Sequence, residues 1–185
     1  MSEERDAVAG FLVARGLFDA ATCARVVAEA GDSRAAGEVI AGAADEVVVR
    51  RSKVRWLTEG ALAREVTDRL MAVVRALSND YFGFALEGAE ALQVATYGLD
   101  DEYGWHIDLG PGRSSRRKLS VTVLLTNPTE FVGGAFELGV VDGVPVELGQ
   151  GDAVLFPSYL RHRVAPVTHG ERTSLVAWIT GAPFR

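Results

Sequence analysis

His106 and Asp108 stand two residues apart in the stretch Tyr103-Gly104-Trp105-His106-Ile107-Asp108. On an extended strand, residues i and i+2 point to one face, so this spacing sets an imidazole beside a carboxylate. Such a pair is two thirds of a His-carboxylate-His set, which holds non-haem Fe(II) and leaves coordination positions open. Two histidines and a carboxylate equally suit zinc. The third ligand must come from His162 or His169, because the chain has only three histidines. His162 heads a strand-like run after Phe156-Pro157, with room before it for several strands to return to the same place. His169 lies in Val167-Thr168-His169-Gly170-Glu171, a turn composition, and reads as a solvated loop histidine. Arg172 then opens the apolar run Thr173-Ser174-Leu175-Val176-Ala177-Trp178-Ile179. A buried arginine there needs a partner. A carboxylate ligand can be one through a bidentate pair; a surface pairing with Glu171 or Asp152 is the plainer alternative.

These side chains need a scaffold that returns to one place. From residue 90 onward the text reads as short strands with turn punctuation, near 91–97, 104–107, 118–125, 134–138, 144–147, 153–156, 162–167 and 174–179. Asp142-Gly143 is a hairpin signal. Asn127-Pro128 and Gln150-Gly151-Asp152 are turns. Upstream the spacing predicts helices over 6–15, with Val8, Phe11 and Leu12 on one side and Gly16 as a stop, and over 20–30, capped by Asp19 and ended by Gly31. Residues 32–42 read as a loop, and 46–50 and 54–57 as extended. After a Thr58 cap comes a helix whose Leu62, Val66, Leu70, Val73, Val74 and Leu77 form one apolar stripe, ending near Ser78-Asn79-Asp80. Strands preceded by helices predict a β-sandwich or barrel with helices on one face.

Bulk properties narrow the class. The chain has 185 residues and is 48% apolar, which suits a single globular domain over 1–185. Its net charge of −6 implies no nucleic-acid or anionic-membrane affinity. The single cysteine, Cys23, permits no disulfide framework and reads as a small buried hydrophobe. An acidic start with no following apolar segment, and no run of membrane-spanning length, predict a cytoplasmic protein.

The ordered set His106-x-Asp108, His162 and Arg172 resembles the signature of the Fe(II)/2-oxoglutarate-dependent dioxygenases. Three further segments resemble the prolyl-4-hydroxylase-like branch with its PKHD-type hydroxylases: Arg117-Lys118-Leu119-Ser120-Val121-Thr122-Val123-Leu124-Leu125, Phe131-Val132-Gly133-Gly134-Ala135-Phe136-Glu137-Leu138 and Gly151-Asp152-Ala153-Val154-Leu155-Phe156-Pro157. The resemblance spans residues 90–180, with a weaker match at 50–57. It implies an α+β, mainly β fold: a double-stranded β-helix (jelly-roll) core over 90–180, with 1–89 as mainly helical support. It implies Fe(II) held by His106, Asp108 and His162, and 2-oxoglutarate held by Arg172 with Tyr97. Dioxygen would be the second co-substrate and ascorbate an auxiliary reductant. The implied reaction turns 2-oxoglutarate into succinate and carbon dioxide while hydroxylating an unactivated C–H bond of a small substrate: an amino acid, a peptide or a natural-product intermediate. A protein prolyl-type hydroxylase stays open, as does desaturation or cyclisation. So do a zinc hydrolase and a cupin-like binding module without turnover. PKHD-type relatives usually run on past the position of Arg185, so their substrate assignment does not carry over directly to this chain.

The remaining residues read more plainly. Trp105 and Trp178 read as core packing, with a pocket-lining role implied for Trp178. Gly133-Gly134 reads as a close backbone approach or bulge. Arg113, Arg116, Arg117 and Lys118 form a basic run in a loop beside the site, solvated or facing an acidic substrate.

Overall fold

The computed structural model describes residues 10–31, 34–41, 47–78, 80–139 and 143–184. The strands and helices, in chain order, are β1 (Leu12–Ala14), α1 (Ala20–Glu29), β2 (Arg34–Ala41), β3 (Val47–Leu57), α2 (Ala61–Ser78), β4 (Gly88–Ala89), β5 (Leu92–Tyr97), β6 (Tyr103–His106), β7 (Arg117–Leu124), β8 (Phe131–Gly133), β9 (Phe136–Leu138), β10 (Val144–Pro145), β11 (Ala153–Pro157), β12 (His162–Val164), β13 (Val167–Gly170) and β14 (Arg172–Thr180). One curled sheet runs β1-β11-β7-β14-β5-β3-β6-β12-β9-β10, with β2 added on β3 and β4 on β14; β13 and β8 pair separately. The pairings are antiparallel. This is the expected mainly β, jelly-roll architecture with helices on one face.

Alternation explains which side chains meet. Along β14, Leu175, Ala177 and Ile179 pack toward the helices, as do Leu119, Val121 and Val123 of β7 and Leu92 and Val94 of β5. The opposite phase turns into the roll. There Ala95 and Tyr97 of β5, Phe136 and Leu138 of β9, Val154 and Phe156 of β11 and Val164 of β12 form a second cluster. A period of two sorts one strand into two cores, which is why β5 is buried at every position.

The helical cover is α2, whose Leu62, Val66, Leu70 and Val74 are buried at helical spacing and join Cys23 and Val26 of α1. Each such side chain contributes about 1.5–3 kcal/mol by leaving water. Asp19 caps α1 by accepting from the Thr22 N–H at 2.8 Å. Burial pushes the Cys23 thiol up to about 11, so it stays a protonated, inert hydrophobe.

The first half departs from its helical reading. Residues 34–41, expected as a loop, form β2 along β3 in an unbroken register from Arg34 opposite Val54 to Ala41 opposite Val47. The expected helix over 6–15 lies partly outside the described residues, and its described end is β1, an edge strand on β11. Gly16 then turns the chain at φ +61°, with its N–H donating to Asp152 Oδ1 at 2.7 Å. β3 sits between β5 and β6 in the main sheet, so residues before 90 build the roll as well as cover it. Asp142, of the expected hairpin turn, is outside the described residues. The basic loop is a 3-10 turn over Gly112–Arg116.

Candidate active site

The register of two strands assembles the site. β12 pairs with β6 so that His162 stands opposite His106. Their ring centroids are 4.1 Å apart. Asp108, just beyond β6, places Oδ1 3.8 Å from His106 Nε2 and Oδ2 3.4 Å from His162 Nε2. One donor atom from each of the three lies within 4.8 Å of the others.

Backbone contacts aim the rings. Nδ1 of His106 donates to Gly104 O at 2.8 Å, and Nδ1 of His162 donates to Leu160 O at 2.9 Å. A carbonyl can only accept, so each Nδ1 carries a proton and each ring turns its Nε2 toward the carboxylate. Tyr103 stacks on His106 at 3.5 Å with an interplanar angle of 13°. Burial, followed by the nearby His162 ring, depresses His106 to about 3 and keeps it neutral.

Asp108 is anchored by β7 and the β11–β12 connection. Ser120 Oγ donates to Oδ2 at 2.6 Å, Ser120 and Ser158 hydroxyls lie 3.0 Å apart, and the Asp108 N–H donates to Ser158 O at 2.9 Å. Burial works to raise this carboxyl. His162, His106 and Ser120 outweigh it and hold the group below its ordinary value. The Trp178 N–H is buried without a hydrogen-bond partner.

Beside this cluster a cleft of about 320 Å³ is lined by Gln93, Tyr97, Thr122, Phe136, Ser174 and Trp178, with Arg50 and Arg117 among its cations. Arg172 touches two of these lining residues. Its Nη1 donates to Ser174 Oγ at 3.2 Å, and its guanidinium lies 5.8 Å from the Tyr97 ring centre. It is only 2% exposed. Burial lowers its pKa. The acids that a surface reading would give it are taken: Glu171 faces Lys53 at 3.8 Å, and Asp152 pairs with Arg15 at 2.7 Å. Among the described residues Arg172 has no carboxylate partner, the arrangement expected of a cation that waits for an anionic ligand.

Residues 92–180 match the family model of the 2OG-Fe(II) oxygenase superfamily. A PKHD-type hydroxylase of Synechococcus sp. (strain CC9311) is 30% identical over 169 residues, covering 88% of this chain and 74% of the relative. The chain belongs to the 2OG-Fe(II) oxygenase superfamily, in its PKHD-type branch. A second PKHD-type hydroxylase, from Hyphomonas neptunium, is 38% identical over 128 residues, 66% of this chain and 56% of that relative. The fold is shared with a Pseudomonas putida prolyl-4-hydroxylase, at TM-score 0.70 and 24% identity over 95% of both chains. It is shared too with a viral collagen prolyl hydroxylase of Paramecium Bursaria Chlorella virus-1, at TM-score 0.70 and 20% identity over 95% of this chain and 98% of that one.

Fe(II), 2-oxoglutarate and dioxygen are the cofactor and co-substrates of this oxygenase family, and the donor set fits the metal. Two neutral imidazoles and one ionised carboxylate are what a facially ligated ferrous ion takes. Their outer contacts, to Gly104 O, Leu160 O and Ser120 Oγ, are of the kind that orient metal ligands.

Other candidates fall elsewhere. His169 is exposed on β13, away from the cluster. Trp105 packs outside the core, with Arg163 5.0 Å and Arg161 5.9 Å from its ring centre. Trp178 lines the cleft and lies under Arg117 at 3.9 Å. Gly133 and Gly134 have φ +79° and +60°, and a Cβ on Gly134 would stand 2.9 Å from Arg172 Cδ. The close approach expected there is made to the arginine itself. In the basic run, Arg117 chelates Glu90 at 3.0 and 2.8 Å and Arg116 pairs with Glu87. Arg50, Tyr103, Ser120 and Ser158 escaped the sequence reading. The phase of alternation was the one signal for Arg50, with Ser52 and Val54 buried beside it and Arg51 and Lys53 exposed.

Among the described residues no helix is long and apolar enough to cross a membrane.

Proposed function

We propose that His106 and His162, through Nε2, and Asp108, through its carboxylate, hold Fe(II), and that the enzyme hydroxylates an unactivated C–H bond of a small molecule or short peptide. Arg172 takes the distal carboxylate of 2-oxoglutarate beside Tyr97 and Ser174. Burial raises the Tyr97 phenol, so it remains a donor across the working range. When bound, the iron supplies dioxygen activation coupled to oxidative decarboxylation of 2-oxoglutarate to succinate and carbon dioxide. The chain's own residues bind, orient and exclude water. The observation that carries this reading is the convergence of two Nε2 atoms and one carboxylate next to a buried arginine that has no acidic partner among the described residues.

Family membership sets aside the zinc hydrolase and the cupin-like module that the residues alone left open. A prolyl-type hydroxylase acting on a polypeptide stands as the second reading. It is supported by the shared fold with a Trichoplax adhaerens prolyl hydroxylase in complex with a hypoxia inducible factor oxygen degradation domain peptide, at TM-score 0.69 and 21% identity over 92% of this chain and 83% of that one.

The test is anaerobic addition of Fe(II) and 2-oxoglutarate. A weak visible charge-transfer band is expected in the wild type and is lost in His162→Ala. Metal-loaded protein without the band counts against the reading. Mass spectrometry of candidate substrates, tracking a gain of one oxygen alongside succinate, then separates small molecules from polypeptides.

A further inference from the structure

The cleft holds one cation more than the chemistry above uses. Arg50, on β3, lines it together with Gln93, Tyr97, Tyr103 and His106. Its guanidinium is already held in place. Nε donates to Ser52 Oγ at 3.1 Å, Nη2 donates to Gln93 Oε1 at 2.7 Å, and the planar group lies 4.7 Å over the Tyr103 ring. All three partners are neutral. Among the described residues Arg50 has no carboxylate partner, and the other group its guanidinium acts on is the neutral Tyr97 phenol beside it in the cleft.

Its neighbours differ in this respect. Arg117 is tied to Glu90, Arg116 to Glu87, Arg51 to Glu102 and Arg163 to Glu137. Charge in the loaded site then decides what Arg50 is for. Asp108 and the two carboxylates of 2-oxoglutarate together balance a ferrous ion and Arg172. The histidines and the two tyrosines are neutral, and Arg117 has its own acid. One positive charge is left over, on a fixed guanidinium in a half-enclosed cleft, where an unpaired charge is costly.

We propose that Arg50 binds a carboxylate of the substrate, which makes the substrate a small organic acid of the free amino acid class. A residue inside a polypeptide has its backbone carboxyl tied up in a neutral amide and leaves Arg50 unpaired. The inference rests on the reading in which Arg172, and not Arg50, takes 2-oxoglutarate.

The experiment screens the proteinogenic L-amino acids singly, and their primary amides, for stimulation of succinate formation by the Fe(II)-loaded enzyme. One or more acids stimulate, and the matching amides do so at least about tenfold less well. Arg50→Met lowers kcat/KM for the responding acid about ten- to a hundredfold, the usual loss with one charge-assisted hydrogen-bonded pair. The dissociation constant of 2-oxoglutarate, read anaerobically from the charge-transfer band, rises far less in that variant than in Arg172→Met, because Arg50 reaches the co-substrate only through the shared Tyr97. Arg50→Lys keeps the charge without the fork and recovers part of the loss. Amides acting as well as acids, neither set acting, or Arg50→Met weakening 2-oxoglutarate as Arg172→Met does, each overturns the assignment. The band forms without substrate. Its absence from the wild type therefore indicts the iron and co-substrate reading, whereas a normal band with no preference for acids indicts Arg50 alone.

Discussion

Replacing Arg172 with methionine separates a structural arginine from a ligand-binding one, because the two roles move stability in opposite directions. Arg172 is 2% exposed, with one hydrogen bond, to Ser174 Oγ at 3.2 Å, and no carboxylate partner among the described residues. In the absence of 2-oxoglutarate it is a desolvated charge with little compensation. Methionine keeps most of the aliphatic packing and removes the charge. The ligand-free variant is expected to be as stable as the wild type or up to about 3 kcal/mol more stable. Affinity for 2-oxoglutarate moves the other way. Loss of a charge-assisted bidentate pair costs about 2–4 kcal/mol, or roughly 30- to 1000-fold in Kd. The assay is thermal unfolding of Mn(II)-loaded protein with and without 2-oxoglutarate, so that no turnover occurs. At about a hundred times the wild-type Kd, the ligand stabilises the wild type by about 2.7 kcal/mol. For a chain of this size that raises Tm by about 5–10 °C. At the same concentration the variant is stabilised by less than about 1 kcal/mol and rises by no more than about 3 °C. The reasoning is refuted if ligand-free Arg172→Met melts many degrees below the wild type while the 2-oxoglutarate shift survives intact.

Gly134→Ala forces a side chain into φ +60° with its Cβ 2.9 Å from Arg172 Cδ and from Val167 Cγ2. A loss of about 1–3 kcal/mol in stability is expected, together with weaker 2-oxoglutarate binding, both read from the same melts. Ser120→Ala removes the 2.6 Å donor to Asp108 Oδ2; metal affinity is expected to fall about 10- to 100-fold in a competitive chelator titration, and an unchanged value would remove Ser120 from the orienting set. Asp152 lies largely buried and accepts from Arg15, Gly16 and Gly149 at 2.7–2.8 Å. Burial works to raise this carboxyl, but those donors prevail and lower it. Its contribution is therefore full above the ordinary carboxylate range and is lost as pH falls through the folded value. Asp152→Asn should cost about 1–3 kcal/mol at neutral pH, with the gap to the wild type closing as urea melts are moved to pH 3; a gap that stays constant contradicts this.

Much of the roll was legible because each later strand carries its own punctuation and its own alternation. Leu119, Val121 and Val123 against Ser120 and Thr122 is a strand in any context. Residues 34–41 were not legible: Ala35, Ala36, Gly37 and Ala41 have little strand preference, and their state follows from β3 being available alongside. β1 was misread for a related reason. Phe11 and Leu12 also fit a helical stripe, and three residues on the edge of β11 leave no periodic signature of their own. Trp105 was expected in the core because tryptophan is mostly apolar surface, yet arginines cover it from outside.

The chemistry of the site was written in residue types and in one local spacing. His106 and Asp108 share a face at i and i+2, and a chain with three histidines offers few ways to complete the set. Which distant histidine comes to meet them, and which arginines enter the cleft, are matters of strand register. His162 opposite His106 and Tyr97 opposite Arg172 are pairings between strands far apart in the chain. A slip of one residue in either would turn the same side chains to the opposite face of the sheet. Local sequence cannot encode that phase, since it is set by the packing of the whole sheet against α2 and by the turns that bring the strands back. Arg50 faces the cleft and Arg51 faces solvent for no reason intrinsic to arginine; the difference is the face of β3 on which each one falls.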